Sequence, residues 1–373
     1  MTGLYIHIPF CASRCVYCGF YSTTLPALRD AYVDALCQEL TLRAEELPAD
    51  EAITTIYLGG GTPSQLTTDQ LDRLFSYIYK VYRPQPVEVT MECNPDDITP
   101  AFADWIAQSP IDRISMGAQT FSDRLRLLRR RHTAAEVRRA TTLLRQADIR
   151  NISIDLMFGF PGETLADWEQ DIDEALRLGV EHISAYSLMY EEGTTLYRWL
   201  SEGRIQEIDD DLSLRMYDCL LDRLTAAGYR HYEISNFALP QRESRHNSSY
   251  WRDVPYMGLG ASAHSFDGRQ RSWNVADIEA YIAAIARGER PCTVEALDPD
   301  THYEDVVLTS LRTAEGIDLG KIRRDFGSQR LDFLLAAADQ DLRQGYLVRE
   351  DDHLRLTRRG IYLSDGITAR LFV

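Results

Sequence analysis

Through the first two-thirds of the chain, short β-branched apolar runs alternate with longer stretches whose apolar residues recur at helical spacing. The extended runs are Leu4–Pro9, Ile53–Leu58, Val87–Glu92, Arg113–Met116, Ile152–Met157 and His182–Leu188. The amphipathic stretches are Arg29–Leu47, Thr68–Tyr82, Pro100–Gln108, Ala134–Gln146, Leu165–Leu178 and Asp210–Ala227. Six β-then-α units in succession predict a parallel sheet covered by helices, because each parallel crossover needs a connecting helix. Such a sheet is either open and doubly wound or an incomplete barrel. The unusual residues favour the barrel. Cysteines follow the first run, Gly59-Gly60-Gly61-Thr62-Pro63 the second, Glu92 ends the third, Gln119 follows the fourth and Asp155 lies on the fifth. Residues gathered from successive strand ends describe a barrel rim better than one switch-point crevice. The predicted fold is therefore α/β, a partial (β/α)6 TIM-like barrel.

Beyond Tyr229 the rhythm changes. His231–Phe237 is one more extended run, and Gln241–Ser249 is polar and loop-like. From about Cys292 the pattern turns helical, with Asp318–Asp325 and Gln329–Arg343, and closes with Tyr346–Glu350, an Asp351-Asp352 turn and His353–Thr357. Helices ending in such a hairpin predict a small winged-helix-like unit. The expected division is a barrel over 1–235, a linking segment over 236–290 and a mostly helical domain over 291–373, which suits a chain of 373 residues.

Composition works by exclusion. An apolar content of 45% with 10% aromatic residues fits a folded chain, not a disordered one. A net charge of −17 argues against nucleic-acid binding, which needs a basic face. Arg129-Arg130-Arg131 is a local exception, either a solvated helix end or a ligand group. Apolar stretches such as Tyr281–Ala286 fall far short of the roughly 18 residues of a spanning helix. The run Leu4–Phe10 follows no basic segment or cleavage site, so no secretory signal is expected and a cytoplasmic location is. Three of the seven cysteines lie within eight residues. Without an export signal, that favours metal or redox chemistry over disulfides.

These three, Cys11, Cys15 and Cys18, have CxxxCxxC spacing on a loop just past a strand-like run. A structural zinc site wants four protein ligands, and no fourth cysteine stands at matching spacing. A cubane held by three thiolates leaves one iron open, as a catalytic metal requires. A partial zinc site, a disulfide or a chance thiol cluster are the plain alternatives. Cys37 and Cys219 lie in helical runs and Cys93 and Cys292 stand alone; all four read as small buried apolar residues.

Seven segments now align with a known family in order: Tyr5–Cys11, the cysteine loop, Gly59–Pro63, Glu92–Pro95, Ser115–Phe121, Asp155–Gly162 and Tyr232–Phe237. Together they resemble the radical S-adenosylmethionine (SAM) superfamily over nearly the whole chain. They are closest to its branch of oxygen-independent coproporphyrinogen III oxidases and HemW-type haem chaperones. The resemblance implies a 4Fe–4S cluster on Cys11, Cys15 and Cys18, with SAM on the open iron. It also implies reductive cleavage of the S–C5′ bond to methionine and a 5′-deoxyadenosyl radical. The SAM contacts it implies are Tyr5, Tyr17, Gly60, Gly61, Thr62, Glu92, Gln119, Arg130 and Asp155. Glycine allows close backbone approach, and no Lys-Ser/Thr follows to make a phosphate loop. Glu92, Gln119 and Asp155 suit the ribose and the methionyl ammonium; ordinary strand-end hydrogen bonding is their plain alternative. Arg131 competes with Arg130, because this chain is one residue short between Gln119 and His132. A guanidinium would hold the carboxylate bidentately.

Two departures separate the chain from the oxidases. Phe20 stands where they carry a further cysteine, and only three residues precede Leu4 where they carry an extension. A third mark, His246-Asn247-Ser248-Ser249-Tyr250-Trp251, resembles the HNxxYW haem-binding signature of the chaperone branch. Imidazole and phenolate are both haem ligands, and Tyr250 and Trp251 offer large apolar faces. Read without the family, a histidine beside two aromatics is a satisfied loop residue. Gly258–Ala263 has a GxGxxA pattern but no preceding strand or downstream acid for a dinucleotide site. By resemblance this turn, with His264, closes over the SAM end. The implied function is a haem chaperone serving recipient haem proteins such as membrane-associated respiratory enzymes, with flavodoxin or ferredoxin as electron donor. The alternative is a coproporphyrinogen oxidase or another radical enzyme acting on a tetrapyrrole.

Overall fold

The computed structural model describes residues 2–47 and 52–373. The six extended runs form β1 (Thr2–Ile8), β2 (Ile53–Gly60), β3 (Glu88–Cys93), β4 (Arg113–Gln119), β5 (Ile152–Phe158) and β6 (His182–Ser187). They pair in parallel and in chain order, which a doubly wound sheet, reversing at its switch point, does not. The intervening helices are Arg29–Leu42, Thr68–Tyr82, Pro100–Ile106, Ala134–Gln146, Leu165–Leu178 and Asp210–Ala226. Local chemistry sets their ends. Thr67 with Gln70 and Thr164 with Asp167 form reciprocal capping boxes, and Gly179 closes a helix at φ 61°.

The strands alternate with period two. One set of side chains, including Leu4, Ile6, Ile56, Leu58, Met91, Ile114, Met116, Ile154 and Leu156, is fully buried in the main apolar cluster with the helices. The other set is largely polar: Tyr5 and His7, Thr55 and Tyr57, Thr90 and Glu92, Arg113 and Ser115, Ser153 and Asp155, His182 and Ser184. Burial of the first set drives folding, and the second set furnishes a polar lumen.

The barrel stays open. Beyond β6 lie β7 (Arg230–Glu233) and β8 (Asn236–Ala238), an antiparallel hairpin; beyond β1 lies β9 (Tyr256–Leu259), then β10 (His264–Phe266), β11 (Gln270–Asn274) and β12 (Cys292–Ala296). The predicted single run His231–Phe237 is thus broken at Ile234-Ser235, where the Asn236 amide donates to the Glu233 carboxylate across the turn. The C-terminal region packs on its own apolar cluster, which includes Tyr303, Val307, Ile322, Leu334 and Leu354. It combines helices Pro299–Leu311, Leu319–Phe326 and Ser328–Gln344 with a three-stranded sheet that contains the predicted hairpin.

Three further expectations need correction. The segment Gln241–Ser249 is not a loop throughout: Arg245–Trp251 is a helix, started by Ser244, whose hydroxyl accepts the Asn247 N–H at 3.3 Å. A strand does precede the GxGxxA turn, since β9 pairs in parallel with β1. That turn packs on Glu39 (Gly260 N–H, 2.8 Å) and Tyr32 (Ala261 N–H, 3.0 Å). Neither it nor His264, which stacks on Trp273, lines the cysteine cavity.

Candidate functional site

The loop after β1 is pinned by its backbone. Thr23 N–H donates to Pro9 O at 2.7 Å, Cys11 N–H to Thr23 O at 2.9 Å and Val16 N–H to Leu128 O at 3.3 Å. Cys11, Cys15 and Cys18 then line one cavity of about 550 Å³ at the carboxyl ends of the strands, with Thr62, Glu92 and Asp155. Among the described residues no group of three or more His, Cys, Asp or Glu side chains is gathered tightly enough for a single metal ion. Three thiols lining one cavity suit a polynuclear cluster, in which each thiolate meets a different iron. Burial pushes the Cys11 and Cys18 thiols up, so metal binding would supply the cation that their thiolates need. Arg130 Nη1 stands 3.6 Å from Cys15 Sγ.

The glycine run answers to close packing first. A Cβ on Gly59 would lie 3.0 Å from the Glu92 carboxyl, and one on Gly61 2.7 Å from the Pro9 carbonyl carbon. Gly60, at φ 107°, would drive a Cβ to 2.4 Å from the His7 ring. Thr62 is buried, its hydroxyl 3.6 Å from Cys11 Sγ. Glu92 accepts from the Tyr57 hydroxyl at 2.8 Å and from Gly60 N–H at 3.1 Å. Burial nevertheless pushes its carboxyl up to about 7, with the Asp155 charge adding to the rise. Asp155 is raised by burial too, against hydrogen bonds from Ser184 and Ser115.

Gln119 follows a β-bulge in β4 and takes φ 65°, a left-handed conformation rare for this residue type. Gly117 makes the room: a Cβ there would lie 2.8 Å from Gln119 Nε2 and 3.0 Å from Arg130 Nη2. The structure separates the two competing arginines. Arg130 donates to Asn94 Oδ1 and Gly117 O, both at 2.8 Å, and its buried Nε has no partner. Arg131 is exposed and paired with Asp96 at 3.1 Å. Tyr17 lines the cavity. Tyr5 does not; its hydroxyl bonds His7 Nδ1 at 3.0 Å, deeper in the lumen. Sequence reasoning missed Asn94, two residues after Glu92 and so at the same phase of the strand period. It also missed the exposed apolar rim of Phe20 (72% exposed) and Met189 (65%) at the cavity.

His246, Tyr250 and Trp251 lie elsewhere. His246 packs on Gly3 and Thr55, near the beginnings of β1 and β2, at the barrel end opposite the cysteines. Trp251 lines a separate cleft of about 690 Å³.

Residues 5–175 match the Radical SAM superfamily, and residues 297–363 match the HemN C-terminal domain. The chain is 34% identical to the heme chaperone HemW of Bacillus subtilis over 98% of both chains. It is 36% identical to that of Synechocystis over 85% of this chain and 79% of the relative. The chain belongs to the radical SAM superfamily, in its HemW family. The fold agrees with coproporphyrinogen III oxidase (HemN) from Escherichia coli, at a TM-score of 0.85 over 100% of this chain and 90% of that one, with 22% identity. Membership implies the superfamily's 4Fe–4S cluster and SAM, and the cysteine cavity has the donors for both. No helix of the described residues is long and apolar enough to cross a membrane.

Proposed function

We propose that this member of the HemW family binds haem and passes it to recipient haem proteins, holding a 4Fe–4S cluster on Cys11, Cys15 and Cys18. The observation that carries this reading is likeness along nearly the whole chain to proteins named heme chaperones. When bound, the cluster would supply the electron for reductive chemistry on SAM. The chain's own residues then have distinct tasks: Glu92 and Asp155 accept from ribose and ammonium donors, Arg130 takes the carboxylate, and Gln119 is aimed by its bulge. The carboxylate of bound SAM would relieve the unpartnered Arg130 Nε, and its cationic groups would relieve the raised Glu92 carboxyl.

Besides Arg130, three arginines at the cavity, Arg14, Arg129 and Arg131, favour an acidic electron donor of the flavodoxin or ferredoxin kind. Seven unpaired cysteines suit a reducing cytoplasm.

The second reading, decarboxylation of coproporphyrinogen, is favoured by the fold likeness but opposed by Phe20 in place of a further thiol. Haem titration of the anaerobically reconstituted protein, run beside a propionate-decarboxylation assay, separates them. Saturable haem binding without product is expected; product without haem binding overturns the chaperone reading.

A further inference from the structure

The helix Arg245–Trp251 shows two faces with opposite surroundings. On the inner face His246 is 1% exposed. Its Nδ1 lies 2.8 Å from the Thr55 hydroxyl and its Nε2 2.8 Å from the Tyr250 hydroxyl. Its ring stacks on Tyr57 at 5.1 Å, and the Gly3 backbone passes so close that a Cβ there would lie 3.1 Å from the ring. A neutral imidazole has one donor and one acceptor, and both are spent. Burial, reinforced by the Arg113 charge, lowers the ring to about 3, so it stays neutral.

On the outer face, Arg245, Trp251 and Arg252 line the 690 Å³ cleft with Arg230, Tyr232 and Val254. Its apolar and cationic lining suits a flat apolar molecule with carboxylates at its edge. Two of the cations are already matched: Arg252 by Glu315 at 2.9 and 3.1 Å, and Arg230 by Glu243 at 3.7 Å. The Arg245 guanidinium has no hydrogen bond or ion pair among the described residues, and the buried Trp251 Nε1 has no acceptor. A buried donor without a partner is costly, and a ligand carboxylate would remove that cost.

Resting on the haem reading above, we infer that haem lies in this cleft, gripped by its propionates on Arg245 and by the Trp251 indole, and that His246 is a positioning residue, not an iron ligand. Arginine supplies a planar fork for a carboxylate, and the indole supplies apolar area against the macrocycle. A carrier that holds the periphery leaves the iron open to the recipient.

The test uses the full-length, anaerobically reconstituted protein, with ferric haem and its dimethyl ester as probes and Soret titration as readout. Arg245→Ala should weaken haem binding about 10- to 100-fold, the loss of one charge-assisted contact, at unchanged iron and sulfide content. Arg245→Lys should recover part of it, and the dimethyl ester should bind wild type and Arg245→Ala alike. Equal haem affinity of Arg245→Ala and wild type, or an ester that binds wild type as tightly as the free acid, overturns the clamp. His246→Gln should keep the wild-type Soret position and ferric EPR; a changed ligand field overturns the positioning role. If that variant does not fold, pulsed EPR of the wild-type complex decides, since coupling to an axial imidazole nitrogen would refute the assignment. A wild-type protein that binds no haem at all instead sinks the function proposed above, a result distinguishable from each of these.

Discussion

Replacing Glu92 by glutamine should move two observables in opposite directions. The carboxyl is part-buried at the end of β3, and its removal from water raises it from 4.5 to about 7. A carboxyl whose folded value is raised stabilises the fold fully below its unfolded value and loses that contribution as pH rises through its folded value. Between about pH 4.5 and pH 7 the wild type therefore loses stability relative to a neutral variant, and above 7 the difference levels off. At ~1.4 kcal/mol per pKa unit the whole span is roughly 3 kcal/mol, of which about 2 kcal/mol falls between pH 5 and pH 8. Glutamine has one carbonyl oxygen, so it can serve the Tyr57 hydroxyl or Gly60 N–H but not both. That lost bond is a constant offset, and the pH slope is independent of it.

The assay is urea unfolding of the cluster-free protein at pH 5, 6, 7 and 8, with SAM titration of the reconstituted protein alongside. The expected result is a variant that gains about 2 kcal/mol on the wild type from pH 5 to 8 while binding SAM about tenfold or more weakly. A stability difference flat across that range would refute the raised carboxyl. Unchanged SAM affinity would remove Glu92 from the SAM site.

Alanine at Cys11, Cys15 or Cys18 should abolish the cluster's charge-transfer absorbance and its reduced-state EPR signal; unchanged spectra would refute the ligand assignment. Arg130→Lys should weaken SAM binding by at least about tenfold, as a bidentate contact is lost, whereas Arg131→Ala, at an exposed ion pair, should change it by less than about threefold. The reverse ranking in a SAM titration would return the role to Arg131. Gly60→Ala combines a strained φ of 107° with a contact on the His7 ring, and should cost about 3 kcal/mol. A denaturant midpoint equal to that of the wild type would show that the turn relaxes without loss.

The barrel was legible because each of its six strands is short and followed by a helical stretch, strongly amphipathic at Thr68–Tyr82, Ala134–Gln146 and Leu165–Leu178, and the two patterns do not imitate each other. Strand ends were legible through residues that a core does not want, such as Glu92 and Asp155. What escaped was structure made by few residues with mixed signals. β9 spans Tyr256–Leu259, too short to show a period, and it pairs with β1 across more than two hundred positions of sequence. The helix Arg245–Trp251 carries serine, asparagine and histidine, poor helix formers, so its polar composition masked it; the Ser244 cap was its one local signal. Arg130 and Arg131 are indistinguishable in a basic triplet, because only the chain's path around Leu128 decides which guanidinium turns inward. Tyr5 was expected at the cofactor by family resemblance alone. Its strand phase sends it instead into the lumen, onto His7 and toward His246.

The lumen explains how one fold would bear the two proposed sites. Its polar side chains are not there for stability: Thr90 Oγ1 and Arg113 Nε and Nη1 are buried without partners, each at a cost of about 1–3 kcal/mol. The outward, apolar phase of the same strands offsets that cost, so the inward phase is free to be set by chemistry. Along it, the Glu92 carboxylate rests on Tyr57, Tyr57 stacks on His246, and His246 bonds Tyr250. The helix at one barrel end and the cysteine cavity at the other therefore lean on the same two side chains. A close-packed interior deforms in discrete steps, so a shift of His246 as the cleft fills is either absorbed at the Tyr57 ring or passed to the one carboxylate that also holds Gly60.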